Sequence, residues 1–201
     1  MVAGSTPARP TNFFFGAYGL IHSKAPPKRV FFALNPGTEV REALNAVAAT
    51  EILPRTSRPT AVENLHLTLL FIGKVNQQIL SCLLGFAGAD MMTPFELTVD
   101  RLEGWKRPGI LWLGCRELPS PVTELVNNLI QFTKLCGVEP DERPFKAHIT
   151  VARRVGGDIW SRLPRSIEAI SWPINEFVLM ESLTNKNGTH YEVLKTWRLG
   201  R

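Results

Sequence analysis

Two short segments of this chain repeat one pattern. Leu65-His66-Leu67-Thr68-Leu69 and Ala147-His148-Ile149-Thr150-Val151 both read apolar, His, apolar, Thr, apolar. Strict alternation predicts a half-buried β-strand, because successive side chains leave a strand on opposite faces. In each segment His and Thr then share one face, while the intervening Leu or Ile packs behind. Two such strands side by side bring two imidazoles and two hydroxyls into one cleft. Chance is a poor account of the pair. With 15 Thr in 201 residues, a given His has Thr two places on with a probability of about 0.07. Two of the four His doing so is then roughly a 3% event, before the apolar neighbours are required. His22 and His190 lack a matching Thr and are read as having no part in chemistry.

Paired His and Thr suit one kind of reaction. An unperturbed imidazole titrates at about pH 6.5, so near neutrality one ring can accept a proton while the other donates one. Threonine hydroxyls donate hydrogen bonds suited to non-bridging phosphate oxygens. In-line displacement at phosphorus needs a base for the attacking water and an acid for the leaving oxygen on the opposite side. From the residues alone the two His are interchangeable in these roles. An Arg beside the Thr pair would further stabilise charge developing on the phosphoryl oxygens.

Composition is compatible with this reading. The hydrophobic fraction of 44% excludes a wholly disordered chain. No apolar run approaches the roughly 20 residues that a membrane helix needs. The net charge of +5 favours an anionic partner, although a bland basic surface gives the same figure. Cys82, Cys115 and Cys136 are odd in number and far apart, so neither a disulfide framework nor a structural zinc site is expected. No HExxH pair occurs, and no metal or cofactor is expected.

The chain organises around the two segments. Residues 1–28 contain no Asp or Glu and four Pro, and are read as an irregular, disordered tail without the order of a secretory signal. Missing export signal and missing disulfide pattern together favour the cytoplasm. From Arg29 the pattern is regular. Val30 to Leu34 predicts a strand, Thr38 to about Ile52 a helix, Asn64 to Ile72 a strand, and Gln77 to Phe86 a second helix. Phe95 to Asp100 and Ile110 to Leu113 predict a hairpin, Pro121 to Leu135 an amphipathic helix ended by Gly137, and Ala147 to Ala152 a further strand. Glu176 to Leu183 and Tyr191 to Leu199 close the chain as a hairpin turning at Asn187-Gly188. This order is mixed α+β rather than a strict strand-helix alternation.

The two tetrads resemble the HxTx motifs of the 2H phosphoesterase superfamily, and within it the RNA 2′,3′-cyclic phosphodiesterases, also called 2′-5′ RNA ligases. The resemblance extends beyond them. Arg29-Val30-Phe31-Phe32-Ala33-Leu34 is similar to the family's first strand, and Glu63 to Gly73 to its first motif block. Arg143-Pro144-Phe145-Lys146-Ala147-His148-Ile149-Thr150 is similar to its second, and Tyr191 to Leu199 to its closing strand. Ala147 departs from the Pro often found there. Coverage runs from about Arg29 to Arg201.

The resemblance implies a single bilobal, pseudo-twofold α+β domain over 29–201, with two antiparallel sheets lining a central cleft and helices packed outside. It implies metal-independent opening of RNA 2′,3′-cyclic phosphate ends to 2′-phosphomonoesters. His66 would be the acid that protonates the departing 3′ oxygen, and His148 the base that activates water. Thr68, Thr150 and Arg153 would bind the phosphate, although a solvated charge at a strand end also explains Arg153. Phe31 or Phe32 would stack on a nucleobase. Only one of the two can face the cleft, and core packing competes for either. Arg55, Arg58 and Arg143 are candidates for steering an RNA backbone. The implied partner is RNA with a cyclic or 2′-phosphate end, tRNA fragments among the candidates. No obligate protein partner is read, and a monomer is expected.

ATP-independent 2′-5′ ligation uses the same site and needs no further residues. Two other readings stay open. One keeps the chemistry on a small cyclic nucleotide, and the other is a non-catalytic RNA or nucleotide-binding module. The intact His pair argues against the second, because binding alone does not require two proton-transfer groups.

Overall fold

The computed structural model describes residues 26–51, 57–140, 144–186 and 188–200. His22, Arg55, Arg143 and Asn187, with all of the tail up to residue 25, lie outside the described residues. Among the described residues, strands β1 (Lys28–Leu34), β2 (Arg58–Pro59), β3 (Leu67–Val75), β4 (Phe95–Trp105), β5 (Ile110–Gly114), β6 (Ile149–Arg153), β7 (Arg165–Ile174), β8 (Glu176–Asn185) and β9 (Gly188–Arg198) are interspersed with three α-helices. These are α1 (Thr38–Glu51), α2 (Gln77–Leu84) and α3 (Ser120–Leu135). Lys28, grouped with the tail on sequence, opens β1 and pairs with the buried Glu181 of β8.

All neighbouring strands run antiparallel in the order β7-β4-β5-β6-β3-β1-β8-β9, with β2 added against β6. The sheet has two halves. β1–α1–β3 in one and β5–α3–β6 in the other are both strand-helix-strand units whose two strands lie side by side. The expected two sheets are therefore joined into one, and the join is narrow. β3 meets β6 at one paired position, Leu67 opposite Ile149, and both residues are fully buried. The helices cross the join, with α1 packing on β6 and β7 and α3 on β3.

Residue chemistry explains the layering. β1 is central, flanked by β3 and β8, so Val30 to Leu34 are buried on both faces and read as an unbroken apolar run. Val30, Phe32 and Leu34 point into the main core with Leu44 and Ala48 of α1, Leu80 and Leu83 of α2, and Val122, Leu125 and Leu129 of α3. Phe31 and Ala33 point the other way and pack with Val178, Met180 and Tyr191. The helices thus cover one face of the sheet, which leaves the opposite face free for a site. Gly137, at φ +80°, ends α3 in the left-handed conformation that a side chain rarely adopts.

Three expectations are corrected. Cys82 of α2 and Cys136, which caps the end of α3, form a disulfide across a sequence separation of 54. α2 follows β3 and α3 precedes β6, so the bond ties together helices from the two halves. The cysteine argument for a cytoplasmic location falls with it. Second, neither motif strand begins as early as alternation suggests. Residues Val62–Asn64 form a 3-10 turn, and β3 and β6 each start one residue after their His. Third, β7 is absent from the sequence reading. It is an edge strand, largely exposed, holds Pro173, and pairs with β4 through a register shift between Val99 and Arg101. That shift breaks the period-two signal. No helix among the described residues is long and apolar enough to cross a membrane.

Candidate active site

The single bridge between β3 and β6 sets the site. Continuing its antiparallel register puts His66 opposite Thr150 and Thr68 opposite His148. All four side chains lie on the helix-free face, and the aliphatic residues between them are buried. His66, Thr68, His148 and Thr150 together line a cavity of about 740 Å³, within the ordinary range for small-molecule sites.

Both imidazoles are held in the same way. His66 Nδ1 lies 2.7 Å from the carbonyl oxygen of Asn64, and His148 Nδ1 lies 2.8 Å from that of Lys146. A carbonyl can only accept, so each ring carries its proton on Nδ1 and, when neutral, presents a bare Nε2. Thr68 Oγ1 is 3.1 Å from His66 Nε2 and donates to it in that state.

The ring environments differ. His66 sits between Phe31, 5.0 Å away between centroids, and Tyr191, whose ring meets it edge-on at 4.8 Å. His148 meets Trp105 at 4.9 Å and Trp112 at 6.2 Å. Lys146 Nζ lies over the Trp112 ring at 4.5 Å and bonds Glu103 at 3.1 Å.

Burial dominates the proton affinities. It pushes the His66 imidazolium down to about pKa 4, against the stabilising Asn64 carbonyl and with added repulsion from His148, Arg153 and Arg41. His148 is lowered chiefly by burial as well, again opposed by its carbonyl partner, and further by Arg153 and Lys146. At neutral pH the cleft therefore holds two neutral imidazoles among fixed cations. Among the described residues, Arg29, Arg58, Arg153 and Lys186 line the cavity, and no Asp or Glu does. Such a lining attracts an anion.

The remaining candidates separate cleanly. Phe31, only 2% exposed, is on the site side but packed on His66 and Tyr191, where it forms a wall. Phe32 is corrected as a stacking candidate. It points into the core against Phe177 and Trp197, because neighbours on a strand face oppositely. Arg58 lines the cavity from β2, opposite Arg153. His190 lies in β9 beside Glu192, away from the cavity lining.

Two cavity residues owe their position to bulges. The β1–β3 register slips between Phe32 and Ala33, which pair with Leu70 and Thr68. Leu69 and Leu70 are both buried, and Phe71 emerges into the cavity, 42% exposed, under the Arg29 guanidinium 4.9 Å from its ring. The β5–β6 register slips in the same place between Leu111 and Trp112, which pair with Ala152 and Thr150. Val151 and Ala152 are both buried, and Arg153 emerges. Phe71 and Arg153 are each the fifth residue after their His. Strict alternation would have sent both to the core. Tyr191, Trp105 and Phe71 were not read as site residues, since an aromatic in a strand looks like core until the fold shows what it faces.

The family described as the 2′-5′ RNA ligase superfamily matches residues 27–186. An Escherichia coli protein named RNA 2′,3′-cyclic phosphodiesterase is 35% identical over 86% of this chain and 97% of its own length. A protein of the same name from Thermus thermophilus is 30% identical over 85% of this chain and 90% of its own length. Among solved structures, apo E. coli LigT superposes with a TM-score of 0.75 at 32% identity, covering 88% of this chain and 100% of that one. LigT complexed with 3′-AMP gives a TM-score of 0.73 at 31% identity, with the same coverage.

Proposed function

Because the chain belongs to the 2′-5′ RNA ligase superfamily, we propose that it is an RNA 2′,3′-cyclic phosphodiesterase working by paired-histidine acid–base catalysis without a metal ion. The observation that carries this reading is the matched pair of imidazoles. Each is fixed through Nδ1 by the carbonyl two residues earlier and offers Nε2 to the same cationic cavity.

The step balances as follows. Water attacks phosphorus and gives its proton to His148 Nε2. The bond from phosphorus to the 3′ oxygen breaks, and that oxygen takes a proton from His66 Nε2. A 2′-phosphomonoester and a free 3′ hydroxyl remain. Thr68 and Thr150 donate to the non-bridging oxygens, and Arg153 offsets their charge. A 5′ hydroxyl in place of water gives a 2′-5′ bond by the same proton transfers, which is the ligation reading. The direction of acid and base rests on the family resemblance. Phe71 with Arg29 over it offers a face on which a nucleobase can stack.

The test is an oligonucleotide ending in a 2′,3′-cyclic phosphate, incubated with the enzyme in excess EDTA. A 2′-phosphate product supports the reading. Binding without turnover would sink it in favour of a non-catalytic module. Turnover of small cyclic nucleotides alone would move the substrate class.

An acid that is neutral before an anion binds has a consequence for binding. A phosphodiester anion between the rings favours His66 protonation, so binding takes up a proton. Where the free ring is already neutral, above its value of about 4, affinity must fall as pH rises until the bound ring too loses its proton. For a deoxydinucleoside monophosphate, whose single diester does not titrate here, Kd is expected to weaken by up to about tenfold per pH unit above about pH 4 and to level off once the bound His66 is itself neutral. The dependence should flatten in His66→Gln. Calorimetry in buffers of different ionisation heat measures the proton directly, and a flat profile in the wild type would refute this.

A further inference from the structure

We propose that Arg41 is a positioning residue that fixes the tautomer and aim of His66, acting through the 3-10 turn that precedes the motif. This rests on the reading of His66 as a proton-transfer group, but not on the identity of the substrate.

Arg41 lies in α1, and its guanidinium is a four-point clamp. Nη1 donates to the carbonyl oxygens of Glu63 at 2.8 Å and Val62 at 3.2 Å. Nη2 donates to Asn35 Oδ1 and to the Pro36 carbonyl oxygen, both at 2.8 Å. One planar group thereby ties the end of β1 to the turn Val62–Asn64. Val62 O also accepts from the backbone N–H of Leu65 at 3.2 Å, and a cation suits the carbonyls at the end of such a turn electrostatically.

The next carbonyl along is the one that matters. Asn64 O holds His66 Nδ1, and Asn64 Nδ2 anchors the same residue to Thr189 O of β9 at 2.8 Å. Were the peptide of Asn64 to rotate, the ring would lose the acceptor that keeps its proton on Nδ1. Nε2 would then no longer be reserved for the cavity. Arg41 does not line that cavity, so it acts through the turn rather than on the ligand.

Arg41→Ala is expected to lower kcat on the cyclic phosphate by about 10- to 100-fold, the scale of a misplacement near 1 Å. KM should change by less than about threefold. Arg41→Lys keeps a charge but not a planar fork, so it should stay close to Arg41→Ala in kcat. A purely electrostatic role would instead be restored by Lys.

The decisive readout is the nitrogen-15 spectrum of the His66 ring, which is independent of turnover. The wild type should show a protonated Nδ1, and the variants a mixture of tautomers, with His148 unchanged. The proposal is overturned if Arg41→Ala keeps kcat within twofold, or if the His66 tautomer is unaltered. It is also overturned if neither variant folds, because Arg41 would then be a fold determinant. Should Arg41→Ala alone fail to fold, Arg41→Lys decides. If the wild type opens no cyclic phosphate, the tautomer measurement still reports on the clamp.

Discussion

His66→Ala and His148→Ala should each lose 10²- to 10⁴-fold in kcat on a cyclic phosphate end, the range that a positioned acid or base supplies. On the proposed mechanism each removes the group that moves a proton at its side of phosphorus. The doubly substituted protein should be little worse than either alone, because the two act in one step. The roles can be separated. A substrate whose 3′ bridging oxygen is replaced by sulfur has a leaving group that departs without protonation. It should restore His66→Ala by at least tenfold and leave His148→Ala defective. Rescue of His148→Ala alone would reverse the assignment of acid and base. Retention of wild-type turnover by either variant would end the paired-histidine mechanism. Folding is checked in parallel, since His66 is wedged between Phe31 and Tyr191 and its removal opens a gap there.

The sequence was most informative where local pattern and tertiary outcome share a cause. The alternation around His66 and His148 survives in the structure as buried Leu65, Leu67, Leu69, Ile149 and Val151. The doubly buried β1 reads directly from its apolar run. What stayed hidden needed partners. Phe71, and Arg153, which only the family resemblance had named, reach the cavity because β3 and β6 slip register against β1 and β5, and a slip is a property of two strands rather than one. Nothing in the helical spacing from Thr38 to Ile52 marks out Arg41. Its importance lies in the carbonyls of Val62 and Glu63, which only the packing of α1 onto the 3-10 turn brings within reach.

The disulfide is the clearest case of a feature that spacing could not reveal, and its removal should have the second large effect. Cys82 and Cys136 are 54 residues apart, with β4, β5 and α3 between them. Closing a loop of that length restricts the unfolded chain by about 4 kcal/mol on the chain-entropy account. For a domain of this size that corresponds to a fall in Tm of roughly 10 °C. Reduced protein and the double variant Cys82→Ser/Cys136→Ser should both show it, and reductant should have no further effect on the variant. Neither cysteine lines the cavity, so kcat at 25 °C should stay within about twofold. Thiol counting gives an independent check. The third cysteine, Cys115, is half-buried, and burial, with Asp100 nearby, pushes its thiol up to about pKa 11, leaving almost no reactive thiolate at neutral pH. Unreduced protein should therefore give one thiol per chain on denaturation, and reduced protein three. Three thiols without reduction, or a Tm that ignores reductant, would mean that the two halves are held together by the sheet bridge and helix packing alone.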